Sequence, residues 1–310
     1  MCRSLKDAVT ELSMLGSAAE MNPRVICVVV NWNGWQDTIE CLFSLRQQDY
    51  DRLEVLVVDN GSTNDSSQRI LDAHPWVTLI QLKNNVGFPS GCNAGTRLAI
   101  QRGADYVWLL NNDTIVPADT VRKLLRVALS NPQAGAVGAV LYYMYSPTKV
   151  QAWGGGRINV WTGFVTHFEQ ATSFEGNTYL TGACMLLPRK VCQEVGIFYE
   201  GFFMYCDDSD FCLRLRSAGY ELSIAKDTAI LHKEGASSPK RSPLIDRFAT
   251  TSGMRLLKRH APLPFISITL FLLLRMANRV RRIEWKNLYA VWQGIVVYLK
   301  ERHLKFTDQI

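Results

Sequence analysis

Apolar runs alternate with polar breaks from residue 24 to about residue 110, and they do so at two periods. "RVICVVV" (24–30), "LEVLVVD" (53–59), "VTLIQL" (77–82) and the run Tyr106–Leu110 are short, largely β-branched or aromatic, and bounded by polar clusters, which predicts buried strands. Between them, "WQDTIECLFSLRQQ" (35–48) sets Ile39, Leu42, Phe43 and Leu45 at helical spacing, and "SSQRILDAH" predicts a short helix. "NNVGFPSGCNAG" (84–95) predicts a loop that enters a helix through "TRLAIQRG". Strands apolar throughout and alternating with helices predict an α/β fold, with a mostly parallel sheet covered on both faces. Such sheets bind ligands at the carboxyl ends of their strands. Three of those ends carry polar clusters, "NWNG" (31–34), "DNGSTND" (59–65) and "NND" (111–113), which points to one shared site.

Beyond about residue 135 the alternation loosens. "AGAVGAVLYYM" predicts a strand, "WGGGRINVWTG" (153–163) a glycine-rich connection, and "YLTGACMLLPRKVCQEVG" (179–196) a strand followed by a helix opened by Pro188 and closed by Gly196. In "FFMYCDDSDFCLRLRSAGY" (202–220), Phe211, Leu215 and Ala218 predict a helix that starts at an acidic triplet and stops at Gly219. "ELSIA" and "TAILH" (228–232) predict two short strands.

Composition is that of an ordinary globular chain, 47% hydrophobic and 20% charged over 310 residues, with no low-complexity tract. The net charge of +6 is local: from Arg255 onward eleven Lys/Arg face three acids, so the rest of the chain is nearly neutral. That asymmetry predicts a local anionic partner and argues against nucleic acid. The eight cysteines form no CxxC pair and several lie in apolar runs, as buried reduced thiols would. Residues 1–22 carry acids and no continuous apolar core, so they are expected to be an extension and not a signal peptide. "FISITLFLLL" (265–274) is too short to span a bilayer, which takes about 20 residues. With "RMANRVRR" and the amphipathic "WKNLYAVWQGIVVYLKERHLK" it predicts a helical tail, 251–310, whose residues 255–305 lie on an anionic membrane surface. The other reading of the tail is a pair of core-covering helices with solvated basic faces.

Three stretches carry candidate chemistry. The carboxylate of "NND" can hold a divalent cation through hard oxygen ligands, or cap the next helix in an Asx turn. Asp59, directly after a strand, can accept hydrogen bonds from a base or ribose, or serve an ordinary turn. Asp207, Asp208 and Asp210 crowd three acids at one helix start. Capping accounts for two of them; like charges that close raise each other's pKa and make one a candidate general base. His232, ending "AILH", is a possible metal ligand or a structural residue.

Taken in order, "VVVNWNG", "LVVDNGSTND", "NNVGFPSGCNAG", "LLNNDT", "TGACMLLPR", "FFMYCDDSDFCLRLRSAGY" and "ILHKEGASS" resemble the family 2 glycosyltransferases of GT-A fold, most closely their rhamnosyltransferase-like branch, over about residues 24–260. The resemblance implies a domain at 23–250 with Asp59, Asn31 and Asn33 around the nucleotide, and Asn85, Gly87 and Asn93 shaping the loop over nucleotide and sugar. Asn111, Asn112 and Asp113 stand where the family has its Asp-any-Asp metal motif. Asn111 replaces the first acid, which leaves Asp113 as the main ligand and His232 as its companion. Thr181, Gly182 and Asp210 fall on the acceptor side; Asp208 is the base, with Asp207 beside it. A Mg2+ or Mn2+ cofactor, loosely held, is implied.

The activity implied is inverting transfer of a sugar, with rhamnose the expectation, from a nucleoside-diphosphate sugar to a glycan or polyprenyl-linked acceptor. The place implied is the cytoplasmic face of the cell membrane, peripherally bound. Two alternatives compete. An idle GT-A domain that only binds sugar nucleotides would have no need of the acids at 207–208. A nucleotidyltransferase would carry a basic glycine-rich loop after the first strand, and "NWNGWQD" has no basic residue.

Overall fold

The computed structural model describes residues 22–233, 242–301 and 304. The expected extension, up to residue 21, and residues 234–238 of "ILHKEGASS" lie outside them. A nine-stranded sheet forms the centre, in the order β3-β2-β1-β4-β11-β6-β12-β5, with β7 added to β6. Its strands are β1 (Val25–Asn31), β2 (Leu53–Asp59), β3 (Thr78–Gln81), β4 (Tyr106–Asn111), β5 (Thr114–Ile115), β6 (Ala134–Tyr143), β7 (Ser146–Trp153), β11 (Cys184–Pro188) and β12 (Glu221–His232). The half formed by β3, β2, β1 and β4 is parallel, so three polar strand ends come out on one edge. Antiparallel β11 lies beside β4 and brings the "TGA" stretch back to the same edge.

The apolar strands are explained by burial on both faces. Ile26, Val28, Leu56 and Val58 belong to one core layer, whereas Cys27, Val29, Val55 and Val57 belong to the other. Helices α1 (Trp35–Arg46), α2 (Ser66–Ala73), α3 (Phe88–Gln101), α4 (Thr120–Ser130), α5 (Arg189–Val195) and α6 (Asp207–Ser217) connect and cover the strands. The seven described cysteines are unpaired with one another, and six are buried.

Three local expectations are corrected. Residues 88–95, expected as loop, form the first two turns of α3, because Pro89 is pre-set for a helix start and Gly91 and Gly95 let the helix press on the sheet. A Cβ at Gly95 would come within 2.4 Å of a Val28 methyl and 2.9 Å of a Val58 methyl. We therefore expect Gly95→Ala to cost about 1–3 kcal/mol by overpacking, read as a lower Tm with the fold retained. The two strands expected at 221–225 and 228–232 are one strand, β12. Its pairing with β6 jumps from Ala225↔Ala139 to Ala229↔Val140, so a polar bulge at 226–228 keeps both apolar halves in register. Last, the glycine-rich connection contains a strand, β8 (Gly155–Ile158), which joins β9 (Val165–His167) and β10 (Thr178–Leu180) in a separate three-stranded sheet.

The C-terminal unit is helical: α7 (Pro243–His260), α8 (Pro264–Arg281) and α9 (Trp285–Glu301). It begins at Pro243, ahead of the expected start of the tail at 251. Helix α7 joins the main domain through stacking of Phe248 on Phe203 (4.7 Å) and a bond from the Ser252 hydroxyl to the Met204 carbonyl (2.7 Å). Buried Asp246 clamps the three helices together by accepting from Arg275 (2.7 Å), Arg279 (2.8 Å) and Asn287 (2.6 Å). Among the described residues no helix is long and apolar enough to cross a membrane.

Candidate active site

The first group of site residues sits at the ends of β1 and β2, where Asn31 and Asp59 are register partners. Asp59 is fully buried. Its carboxylate accepts from the Asn31 amide (3.3 Å), the Ser62 backbone N–H (3.2 Å), and the Ser62 and Ser67 hydroxyls. The acid expected to meet a base or ribose is thus turned inward, where it shapes the loop after β2. Asn31 is likewise occupied, taking a bond from Thr38 (2.9 Å). Asn33, in the left-handed region at φ 56°, accepts from the Thr63 N–H (2.8 Å) and joins the loops after β1 and β2.

Asn60 donates to the Gly87 carbonyl (3.0 Å) and to Asn85 (3.2 Å), while Asn85 accepts from the Gly87 N–H (2.9 Å). Gly87 has φ +90° and lies against Phe203, where a Cβ would come within 2.6 Å of the carbonyl oxygen. Asn93, expected to shape the loop over nucleotide and sugar, is fully buried on α3 and bonded through both amide atoms to the backbone of Phe198. It braces the 197–200 loop.

At the end of β4 the candidate metal ligands do converge. His232 Nε2 lies 3.2 Å from an Asp113 oxygen and 3.4 Å from the Asn111 side-chain nitrogen. His232 Nδ1 faces the Gln151 side-chain oxygen at 2.7 Å. A carbonyl oxygen only accepts, so Nδ1–H donates to Gln151 and Nε2 is the nitrogen turned toward the carboxylate. Nε2 and the Asp113 oxygen can share a proton, as imidazolium and carboxylate, or a cation. The Asn111 side-chain oxygen is buried there without a hydrogen-bond partner. The residues present therefore fit a divalent cation held by one carboxylate, one imidazole and one amide oxygen. No cluster of three or more His, Cys, Asp or Glu side chains suited to a metal is found among the described residues, so most ligands would come from elsewhere. Asn112 bonds Thr38 (2.9 Å) and ties the β4 end to α1.

The third group stands at the start of α6. Tyr205 and Cys206, at φ 69° and 63°, are consecutive non-glycine residues in the left-handed region. Such strain costs on the order of 1–3 kcal/mol per residue and gathers at functional sites. It turns the chain so that α6 begins at Asp207. Asp208 accepts from the Gly182 N–H (3.2 Å) and from its neighbour Ser209 (2.6 Å). Burial pushes the Asp208 carboxyl up despite these bonds, and burial together with the Asp208 charge pushes Asp207 well above the usual carboxylate range. Asp210 behaves oppositely. Burial would raise it, but His260, Arg214 and Arg259 together hold it below the usual value. It is 0% exposed and clasped by Arg214 (2.9 Å), Arg259 (2.6 Å) and His260 (2.8 Å), so its carboxylate is spent on α6 and α7.

One short segment joins the last two groups. The Ala183 carbonyl accepts from the Asn111 N–H (3.0 Å), while the adjacent Gly182 N–H holds Asp208. Thr181 in turn donates its N–H to the Gly154 carbonyl (2.9 Å). Ser62, Ser67, Thr38 and Gln151 complete the site and had not been singled out. The two serines follow Asp59 in "DNGSTNDSS", a usable signal; Gln151 has none, because it meets His232 across 81 residues.

A mixed sheet whose parallel strand ends gather a candidate metal pole and, one segment away, a buried carboxylate agrees with the GT-A glycosyltransferase fold expected. The chain belongs to glycosyl transferase family 2, whose model matches residues 26–196. It is 28% identical over 217 residues to the N-acetylglucosaminyl-diphospho-decaprenol L-rhamnosyltransferase of Mycobacterium tuberculosis, covering 62% of this chain and 69% of that protein. It is 26% identical over 300 residues to the dTDP-rhamnosyl transferase of Shigella flexneri, covering 89% and 96%. Among solved structures, a mannosyltransferase of Pyrobaculum calidifontis in complex with GDP-Man and Mn2+ shares the fold at a TM-score of 0.56 and 19% identity, over 96% of this chain and 87% of that one.

Proposed function

We propose that this glycosyltransferase moves rhamnose, with inversion, from a nucleoside-diphosphate donor to a hydroxyl of a lipid-linked glycan. The observation that carries the proposal is the 182–183 segment, which holds the candidate metal strand and the candidate base within two adjacent residues. The loops at 31–34, 59–65 and 84–88 frame the nucleotide, with Asp59 and Asn60 setting their shape. Asp113, His232 and Asn111 would hold Mg2+ or Mn2+, which would supply charge neutralisation for the departing diphosphate. Asp208 takes the proton from the acceptor hydroxyl, whose oxygen attacks the anomeric carbon from the face opposite the leaving group. Asp207, pushed well above the usual carboxylate range by burial and by the Asp208 charge, is the harder of the pair to ionise. Rhamnose and deoxythymidine diphosphate are supported by the name of the Shigella relative, and a polyprenyl-linked acceptor by that of the mycobacterial one. Such an acceptor places the enzyme at the inner face of the cell membrane.

The test is a donor-hydrolysis screen over nucleotide sugars with Mn2+, Mg2+ or EDTA. Release of one nucleoside diphosphate, abolished by EDTA, is expected. In a metal titration, Asn111→Asp should lower the half-saturating Mn2+ concentration, and Gln151→Leu should raise it about 10–100-fold through loss of the bond that orients His232. Hydrolysis indifferent to EDTA would refute the metal assignment.

A further inference from the structure

The outer face of α8 carries no charge over most of its length. Leu263 and Phe265, Ile266, Leu270, Leu273, Leu274, Met276 and Val280 are all exposed. Phe265 is 83% exposed, and at the centre of the face Leu273 is 62% and Ile266 53% exposed. The one hydroxyl among them, on Thr269, bonds back to the Phe265 carbonyl (2.9 Å) and offers a methyl outward. The cations that could interrupt the face, Arg275 and Arg279, point inward to Asp246. At 1.5 Å per residue the face from 263 to 280 is roughly 26 Å long. Isolated exposed hydrophobics need no explanation, but an unbroken strip of this length does.

Charge tells what covers it. At the C-terminal end of the strip, Arg281, Arg282 and Lys286 are exposed, as is Lys300 on α9, and no carboxylate pairs with any of them among the described residues. The two described acids of the tail are spent on other arginines, Glu284 on Arg279 (3.1 Å) and Glu301 on Arg255 (2.5 Å). Trp285, Tyr289 and Trp292 add exposed aromatics on α9. An uncharged strip fringed by uncompensated cations and amphipathic rings matches the acyl boundary, the anionic headgroups and the interface of a lipid bilayer.

The hairpin between β8 and β9 packs beside the strip, against α7 and the buried side of α8. A Cβ at Gly163 would come within 2.7 Å of the Phe271 ring and 3.3 Å of Leu257, so this turn lies directly on α7 and α8. Trp161 and Phe164, on either side of that glycine, are exposed, as is Val165. Three residues past Phe164, about 10 Å of extended chain, His167 reaches the Tyr179 hydroxyl (3.2 Å), and its charge acts on Asp208.

We infer that α8 and the Trp161–Phe164 hairpin form one docking face for an anionic bilayer, with the hairpin bringing the acceptor side of the site to the headgroup level. The inference deepens the proposed lipid-linked acceptor. Docking itself is measured without donor or acceptor, so its failure and the failure of the transferase reading are separate results.

The experiment is flotation of the full chain with phosphatidylcholine vesicles and with vesicles containing phosphatidylglycerol, at low and high salt. The variants are Ile266→Asp/Leu273→Asp, Trp161→Ala/Phe164→Ala and Arg281→Ala/Arg282→Ala, each first checked for an unchanged Tm. We expect salt-sensitive binding to the anionic vesicles, weakened about tenfold or more by each pair. No binding by the unaltered chain would overturn the inference. So would binding untouched by the α8 or hairpin pairs, or a stable dimer that Leu273→Asp separates, since the strip would then be covered by a second copy.

Discussion

Asp208→Asn is expected to lower turnover about 10²–10⁴-fold while leaving donor affinity nearly unchanged, the range ordinarily contributed by a positioned general base. The substitution keeps the size of the side chain and one of its two accepting oxygens, enough for the bond from Ser209 or the bond from Gly182, while the basicity is lost. Donor binding, measured by calorimetry, serves as the control, because the nucleotide loops are assembled by Asp59 and Asn60 at the other end of the site. The pH dependence has a definite sign. The base works ionised, and burial raises its carboxyl above the ordinary value of about 4. Activity of the unaltered chain should therefore fall as pH drops through that raised value, placing the acid limb above the usual carboxylate range. A variant with normal turnover, or an unaltered enzyme with an acid limb at or below the usual range, would remove Asp208 from the role.

Asp210→Ala should destabilise the protein by about 3–5 kcal/mol, the cost typical of leaving buried charge without its partner. Arg214, Arg259 and His260 converge on this one carboxylate, and two of them belong to α7, so the loss should loosen the C-terminal helices from α6. Denaturant unfolding gives the magnitude. The folded-state pKa of Asp210 is depressed, so its stabilisation is fully present above the unfolded carboxyl value, about 3.9, and is lost as pH falls through the lower folded value. The variant should accordingly show less stability loss than the unaltered chain over that acidic window. A change under about 1 kcal/mol would mean that the two arginines and His260 find water as good a partner.

These expectations draw unequally on sequence and on structure. The buried strands were legible because uniform apolarity is a local property and needs no partner to be recognised: Val25–Asn31, Leu53–Asp59 and Tyr106–Asn111 lie within a residue of where the pattern put them. The polar strand ends were legible for the same reason, and parallel pairing of β1, β2 and β4 then placed them on one edge. The helix start at Phe88 was hidden because Gly91 and Gly95 read as loop in isolation. Only contact with Val28 and Val58 makes them helix residues. The bulge at 226–228 was hidden because polar residues break a pattern whether a strand ends there or merely swells.

Roles within the acidic triplet divided in the same way. Crowding of Asp207, Asp208 and Asp210 announced a perturbed carboxylate, since mutual repulsion follows from spacing alone. Which acid is raised and which is lowered depended on what each one faces. A turn through two left-handed residues puts Asp208 against Gly182, while one helical turn sends Asp210 into two arginines and a histidine. Sequence by itself therefore determined the layers, the strand ends and the kinds of group available. Tertiary structure decided which lone pairs are already spent, as on Asp59 and Asn93, and which carboxyls burial raises, as at Asp207 and Asp208. Hydrophobic pattern is additive along the chain, whereas hydrogen-bond satisfaction and pKa are properties of neighbours that only folding supplies.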